Sequence, residues 1–417
     1  MSTITERIRK SYIFQRFASA ALIYSVSLYL ARVLGEEKFG EVAFFLYFVK
    51  FMLIGQLGSI SGYILENYRN QEKRSVEDEC LFLIGYSAHL IMIAICVFLI
   101  GLYIGKIYTL SAIAFILIIP FFSLEPLLRV RKRFYISLLP DLILYLTILA
   151  SIIVLESLGY EDFLTSENII LNSFLFIPIS YILLFTLAKE TGISFFDLRM
   201  ASASAKLIVK KHLDLIVVGF PAYLSTLAFS LLLFIDRFFL ERYHSAAVLS
   251  SYMLGFQLCI GASLAITSKN FVSVVEIGEV YQQEGSTKDI FWRQLKESTL
   301  IAIPAFSGLL AIAWIMQNHL LEGYATLFQS TCILGLGMMI FSISGSISPI
   351  VFFMKRQRVL TSAMMCFLVI SLLGNTTVLY YQLSPNLLVF LTGLYLSAYG
   401  VFSICFSWNC SRVKYSS

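Results

Sequence analysis

Hydrophobic residues along this chain run in continuous blocks, separated by short polar segments. Each block has roughly 18 to 25 residues, enough for a helix to cross a hydrocarbon core of about 30 Å. The blocks lack the period-two alternation of barrel strands, so they predict membrane-spanning helices. The predicted helices are 12–34, 41–64, 81–104, 108–128, 136–158, 168–188, 213–235, 246–270, 298–317, 326–351, 359–380 and 387–408.

Composition agrees with this pattern. Of the 417 residues, 58% are hydrophobic and only 14% are charged, whereas soluble domains use about 25% charged residues. We therefore predict an all-α integral membrane protein with about twelve transmembrane helices. The seven cysteines form neither a CxxC motif nor a His/Cys metal spacing. We interpret them as small buried apolar residues rather than a disulfide or zinc framework.

Positive charges are segregated among the loops. With the N-terminus placed in the cytoplasm, the predicted cytoplasmic segments hold 24 of the 31 Lys and Arg residues. The positive-inside rule therefore predicts that both termini are cytoplasmic. This segregation also accounts for the net charge of +5, and we expect membrane lipids rather than nucleic acid as partners.

The longest predicted loop, 189–212, leaves six helices on each side. Its mixture of apolar and basic residues is typical of an amphipathic helix on the inner leaflet, and a plain linker that runs into helix seven fits as well. We predict an N-terminal lobe of residues 1–188, this linker, and a C-terminal lobe of residues 213–417. Their topology indicates parallel repeats.

Short motifs in both halves resemble one protein family. In the first half, residues 9–11 (RKS) precede 28–35 (LYLARVLG) and the Phe-Gly pair at 39–40; in the second, 219–221 (GFP) and the Asp-Arg pair at 236–237 bracket helix seven. The chain resembles the bacterial O-antigen (Wzx-type) polysaccharide flippases. These belong to the multidrug/oligosaccharidyl-lipid/polysaccharide exporter (MOP) superfamily.

The resemblance implies a V-shaped pair of six-helix lobes that alternates between inward-open and outward-open states in the bacterial inner membrane. The implied cargo is an undecaprenyl-pyrophosphate-linked oligosaccharide, an O-antigen or lipopolysaccharide-type repeat unit. It would move from the cytoplasmic to the periplasmic leaflet. Association with a polysaccharide polymerase and a chain-length regulator is implied by the resemblance alone. The sequence has no GxxxxGK[ST] loop, so we predict that the chain does not hydrolyse ATP by itself. The resemblance implies a transporter rather than an enzyme, and we expect no cofactor.

Charges inside the predicted helices are the candidate binding residues, because a sugar pyrophosphate needs a polar path through hydrocarbon. Lys50 lies about nine residues into helix two, or ~13 Å along its axis, and therefore near the midplane. We predict that it meets the pyrophosphate or an acidic sugar. The alternative is a lysine that snorkels outward or hydrogen-bonds between helices.

Five further charges complete the set of candidates. Lys269, near the inner end of helix eight, either receives the headgroup or anchors the helix at the interface. Arg32, Asp236 and Arg237, at the outer ends of helices one and seven, either pair across the lobes as an outer gate or are ordinary interfacial charges. Arg16 lies near the inner end of helix one, where a structural ion pair or an interfacial anchor is the favoured interpretation.

Two other features carry alternatives. His89 in helix three is interpreted as a hydrogen-bonded interior histidine rather than a proton carrier. The small residues at 342–348, followed by Pro349, make helix ten either a bending element or a surface for close helix packing.

Three rival functions remain at this point. A drug or cation antiporter of the same superfamily would need an acidic residue within its helices, whereas the charge predicted at the midplane is positive. A membrane polysaccharide polymerase or ligase would need a large outer loop, and the longest predicted outer loops span only 159–167 and 236–245. A purely structural membrane protein would leave Lys50 unexplained.

Overall fold

The computed structural model describes residues 2–60, 62–63, 76–130, 139–159, 165–172, 174, 205–282, 287–321, 323–354 and 356–412. Within these ranges the chain is built from helices, as predicted. The helices are α1 Ser2–Phe51, α2 Val76–Ile104, α3 Lys106–Val130, α4 Leu139–Ser157, α5 Ser166–Asn172, α6 Ala205–Tyr243, α7 Ala246–Gln282, α8 Thr287–Ile315, α9 Leu327–Ile347, α10 Pro349–Phe353, α11 Gln357–Tyr380 and α12 Pro385–Ser411.

Several described helices have the length and composition of membrane spans. Seven segments among the described residues meet both criteria: Ala21–Gln56, Val76–Ile104, Ala246–Leu264, Lys288–Leu320, Leu327–Val351, Gln357–Tyr380 and Pro385–Ser411. Shorter apolar helices occupy Lys106–Pro120 and Leu146–Ser157. The chain is therefore a multi-pass membrane protein, and the number twelve and the orientation of the termini stay predictions.

The chain divides into two compact units. The first unit contains Met1–Val26 and Glu41–Leu227, and the second contains Ser27–Gly40 and Ala228–Ser417. Helix α1 therefore contributes residues to both units, and α6 does so as well.

The second unit has a central set of helices and a peripheral set. Within the most apolar 18 residues of each helix, 61% are buried in α7 and α9, compared with 28% in α8 and α11. Helix α9 packs against α7, α8 and α12. Close approach to α12 depends on glycine, because a Cβ added to Gly337 would lie 2.5 Å from the Gly393 carbonyl oxygen. Small residues at such contacts are typical of helix packing in membranes.

Helix α1 has one internal interruption and ends in an irregular segment. At Gly35 the backbone takes φ 72°, which separates two helical stretches near the predicted turn between helices one and two. After Phe51 the chain continues as a 3₁₀ segment, Met52–Gln56, and Leu57 follows with φ 52°. The prediction of one continuous helix over 41–64 is therefore wrong in its middle. Uniform hydrophobicity predicts burial in the membrane but does not reveal a break in the hydrogen-bond ladder.

Three predicted boundaries also change. Helix α6 begins at Ala205, so residues 205–212 form its first turns rather than the end of a linker, and residues 189–204 lie outside the described ranges. Helix α7 continues to Gln282, and α8 begins at Thr287. Polar helix extends beyond each apolar block, and hydrophobicity alone truncates such elements.

The bend predicted near Pro349 coincides with a helix boundary. Helix α9 ends at Ile347, and α10 begins at Pro349. Proline has no N–H to donate to the preceding turn, and the Ser348 hydroxyl instead donates to the Gly345 carbonyl at 3.3 Å. The alternative of close packing is also realised here, because the Ser346 and Ser298 hydroxyl oxygens lie 2.6 Å apart between α9 and α8.

The interpretation of the cysteines is only partly right. Cys80, Cys259 and Cys410 are buried as predicted. The remaining cysteines are half-buried or exposed, and the exposed ones are Cys96, Cys366 and Cys405. These exposed positions lie on helices whose outer faces carry large apolar side chains, the kind of surface that lipid covers.

Candidate functional site

Lys50 lies in the last turn of α1, directly before the 3₁₀ segment, and its side chain is half-buried. The carboxyl end of a helix carries partial negative charge from its last carbonyl groups, which favours a lysine at this position. Tyr47 and Phe51 are also half-buried and lie three residues before and one residue after Lys50. The three side chains therefore share one face of α1.

Aromatic rings line the same stretch of α1. The Tyr47 and Phe51 rings stack with centroids 6.4 Å apart, and the Phe48 ring stacks on Phe51 at 6.1 Å. On the buried side, Tyr108 of α3 meets Phe48 edge-on at 5.0 Å and Phe44 at 5.9 Å. The packed rings hold the end of α1 against α3, and this packing fixes the position of the backbone that carries Lys50.

The break after Lys50 is braced by α6 in the first unit. The Tyr223 hydroxyl donates to the Ile54 carbonyl oxygen within the 3₁₀ segment. Gly58 takes φ 89°, and a Cβ added there would lie 2.8 Å from the backbone of Gly219. Among the described residues, Gln56 carries a buried amide oxygen without a hydrogen-bond partner. Broken helices of this kind expose polar backbone and side-chain groups at membrane depth, where transporters place their substrate sites.

A second polar cluster lies within the second unit. Asp236 and Arg237 on α6 are both fully buried. The Asp236 carboxylate accepts the Arg237 backbone N–H at 2.7 Å and the Tyr252 hydroxyl of α7. The Arg237 guanidinium carbon lies 3.5 Å from the Phe256 ring centroid. The Thr392 side chain of α12 also lies near the Asp236 carboxylate.

Burial of both charges determines what this second cluster can do. Charges removed from water are stable only when paired and hydrogen-bonded, and a guanidinium over a ring face adds a cation–π contact. In this conformation the cluster ties α6 to α7 and presents no accessible cation. The predicted gate partner Arg32 is exposed, whereas Asp236 and Arg237 are buried together, and the outer gate stays a prediction.

Two candidates have no described side chain. Lys269 lies on α7, and Arg16 lies on α1, but their side chains fall outside the described part of the chain. Their roles at the cytoplasmic mouth stay predictions.

The sequence analysis missed several residues at both clusters. Tyr252 and Phe256 are spaced i and i+4 on α7, a spacing that places them on one face. That spacing was the available signal for the partners of Asp236 and Arg237. Near Lys50, Gly55 and Gly58 are the sequence signal of a break, and the apolar residues around them obscured it.

Comparisons with known proteins identify the fold. No protein-family model matches the chain, and no curated protein matches it in sequence. The structure of lipid II flippase MurJ in an inward closed conformation matches with a TM-score of 0.69 at 14% identity, covering 96% of this chain and 87% of that one. An inward-facing multidrug resistance MATE family transporter of the MOP superfamily matches with a TM-score of 0.67 at 12% identity, covering 96% of each chain.

A third match is the MATE transporter ClbM in complex with Rb⁺, with a TM-score of 0.56 at 12% identity over 98% of this chain and 94% of that one. At this level of identity the matches establish the fold, and the matched proteins are transporters and flippases rather than enzymes. The chain shares the fold that the resemblance implied, whereas membership of the superfamily and of its Wzx-type branch stays a prediction. This chain is a multi-pass membrane protein with the fold of MOP-superfamily transporters.

Proposed function

We propose that this chain is a flippase that moves an undecaprenyl-pyrophosphate-linked oligosaccharide from the cytoplasmic to the periplasmic leaflet by alternating access. The proposal places it in the bacterial inner membrane, with 1–188 and 213–417 as the moving lobes. A polysaccharide polymerase and a chain-length regulator would use the delivered unit. The fold shared with the lipid II flippase MurJ supports the transport of a lipid-linked cargo.

Lys50 is the observation that carries the proposal. Lys50 is half-buried at the point where α1 loses its regular helix. A pyrophosphate is an anion that hydrocarbon cannot solvate, and a lysine is a compact cation with three donors for its oxygens. The neighbouring Tyr47 and Phe51 rings offer apolar faces of the kind that pack against the C–H faces of sugar rings.

A membrane potential supplies a driving force for this cargo. A pyrophosphate with about two negative charges would be driven outward by an inside-negative potential. At ~2.3 kcal/mol per charge for each 100 mV, the driving force is about 4–5 kcal/mol. This mechanism requires no dedicated coupling ion.

A cation or drug antiporter is the second candidate, and the buried Asp236 is the observation that favours it. Such an antiporter uses an intramembrane carboxylate to hold its ion. Arg237 weighs against this function, because the positive charge of its side chain acts on the same carboxylate and would oppose the binding of a cation there. The MATE structures share the fold with this chain, so the fold does not distinguish the two functions. Identification of the transported substrate does.

The test uses purified protein in proteoliposomes loaded with the carrier-linked sugars that accumulate in cells lacking this gene. Wild-type protein should transfer them between leaflets, and an imposed potential of the correct sign should accelerate the transfer. Export of a cationic dye by the same vesicles, without transfer of carrier-linked sugar, would establish the antiporter instead. Transfer that ignores the imposed potential would contradict the driving force but not the flippase.

A further inference from the structure

Two buried histidines meet inside the first unit. His89 on α2 and His212 on α6 place Nδ1 and Nε2 at 2.8 Å, with the ring planes inclined by 80°. Only 9% of His89 and 8% of His212 is exposed. The prediction that His89 is a hydrogen-bonded interior histidine is confirmed, but its partner lay within the predicted linker and was not foreseen.

The number of protons on this pair leaves one ring nitrogen without a proton and outside the shared hydrogen bond. A neutral imidazole has one N–H and one lone pair, so two neutral rings hold two protons on four nitrogens. One proton lies in the shared hydrogen bond. The second lies on an outer nitrogen, either Nε2 of His89 or Nδ1 of His212, and the other outer nitrogen carries a lone pair.

The lone pair is assigned by the surroundings of His212. Its Nδ1 is buried and has no hydrogen-bond partner among the described residues. An N–H at that position would be a buried donor without an acceptor, and such donors are rare in folded proteins. The outer proton therefore lies on Nε2 of His89, His212 donates through Nε2, and Nδ1 of His212 is free to accept a proton.

Proton uptake at that atom turns His212 into an imidazolium. A charge of this kind needs solvation or a counter-ion, and the bond to one neutral ring supplies neither. The described contacts of the two rings include no carboxylate.

The titratable groups nearest along the packed elements do not supply that counter-ion. On α2 these are Asp78, Glu79 and Tyr86, and on α6 they are Lys206, Lys210, Lys211 and Asp214; Tyr63 follows the break in α1. Asp78 is already paired with Lys211 at 3.5 Å. A Cβ added to Gly85 would lie 3.1 Å from the His212 Cβ, so α2 and α6 are in direct contact beside the rings. Separation of these helices would admit water to the pair.

We propose that the His89–His212 pair is a proton-binding site in which Nδ1 of His212 takes up one proton when α2 and α6 separate. Linkage then requires that acid favours the separated helices and that separation favours proton uptake. The site itself does not depend on the proposed function. Its consequence does, because a flippase with this site would have a transport rate that depends on pH.

Spectroscopy on the purified protein tests the site without any transport substrate. The chain has four histidines, so ¹⁵N-histidine labelling in lipid nanodiscs gives a spectrum that single substitutions can assign. His89→Asn and His212→Gln place an amide where the bonded ring nitrogens lie, which keeps the hydrogen bond. Only His212→Gln removes the nitrogen that takes up the proton. His319, which is exposed, provides the control variant His319→Gln.

We expect the wild-type pair to take up about one proton between about pH 7 and pH 4, below the ordinary imidazole pKa of about 6.5, with coupled shifts of both ring systems. His319→Gln and His89→Asn should leave this uptake intact, because both keep Nδ1 of His212, whereas His212→Gln should abolish it. Hydrogen exchange in the first turns of α6 should rise in acid relative to His212→Gln at the same pH. The helix-opening equilibrium should change by about tenfold for each pH unit.

Ring nitrogens of His89 and His212 that stay neutral throughout this range in the wild-type protein would overturn the proposal. Proton uptake without any difference in exchange between wild type and His212→Gln would overturn its link to helix separation. Neither result depends on whether the protein flips a glycolipid.

Discussion

The guanidinium carbon of Arg237 lies 3.5 Å from the ring centroid of Phe256, while the backbone N–H of the same arginine donates to the Asp236 carboxylate. Arg237 of α6 thus contacts both the carboxylate of its own helix and an aromatic ring of α7. Because Asp236 and Arg237 are fully buried, loss of either charge leaves the other uncompensated in a low-dielectric interior.

Arg237→Met should therefore destabilise the protein by about 3–5 kcal/mol. Asp236→Asn combined with Arg237→Met should be less damaging than Arg237→Met alone, because the double variant buries no unpaired charge. Thermal unfolding of the purified variants in detergent measures both effects. Equal stability of the single and double variants would show that the two charges are not coupled.

The ring contact can be separated from general packing by a double-mutant cycle. Phe256→Leu should cost about 0.5–2 kcal/mol more in the wild-type background than in Arg237→Met, since the cation–π contact exists only in the former. Unfolding midpoints of the four proteins provide the comparison. Identical costs in the two backgrounds would assign the Phe256 contribution to packing alone.

The break after Lys50 predicts a position-specific effect of alanine. Gly58→Ala forces a side chain into φ 89° and against the backbone of Gly219, and we expect a loss of about 1–3 kcal/mol. Gly261→Ala is the matched control, because Gly261 is helical and has open space around its Cβ position. There alanine should be neutral or stabilising by up to about 1 kcal/mol. Similar effects at both positions in thermal unfolding would contradict the strained turn.

The hydroxyl pair between α8 and α9 predicts a modest coupling. The Ser298 and Ser346 oxygens are 2.6 Å apart, and both residues are buried. Interhelical hydrogen bonds in membrane proteins average about 0.6 kcal/mol and reach about 1.7 kcal/mol. A cycle of Ser298→Ala and Ser346→Ala, measured by thermal unfolding, should give a coupling within that range. Strict additivity would show that the bond contributes nothing to stability.

Much of the fold follows from the sequence because the membrane imposes a simple rule on it. Apolar blocks such as 81–104 and 359–380 can satisfy their backbone groups in lipid only as helices, and both form helices in the structure. The polar extensions of α7 and α8 were not predicted because they are not apolar blocks. They are helical because they continue an existing helix. The break at Leu57 escaped for the opposite reason, since its residues are as apolar as a regular helix.

The candidate sites were less accessible to sequence analysis. The depth assigned to Lys50 rests on its position in one apolar block and stays a prediction. By contrast, His89 and His212 are 123 residues apart in the chain, and no local pattern joins them. Arg237 and Phe256 also meet only through packing of α6 on α7. Contacts between distant segments are set by tertiary structure, which a single sequence does not encode in a readable period.

The role of Lys50 is tested most directly in cells that lack this gene. They would be complemented with wild type, Lys50→Ala, Lys50→Arg or the control Lys38→Ala, an exposed lysine of the same helix, all at matched membrane abundance. A charge-assisted contact of about 1.5–3 kcal/mol implies that Lys50→Ala lowers the transport rate by at least about tenfold. Lys50→Arg should retain more activity because it keeps the charge.

The decisive measurement is the amount of surface glycan, together with the leaflet in which carrier-linked units reside. We predict that wild type and Lys38→Ala restore surface glycan, whereas Lys50→Ala does not and carrier-linked units accumulate on the inner leaflet. Full restoration by Lys50→Ala would contradict the role of Lys50. Carrier-linked units that reach the outer leaflet without the protein would contradict the flippase itself.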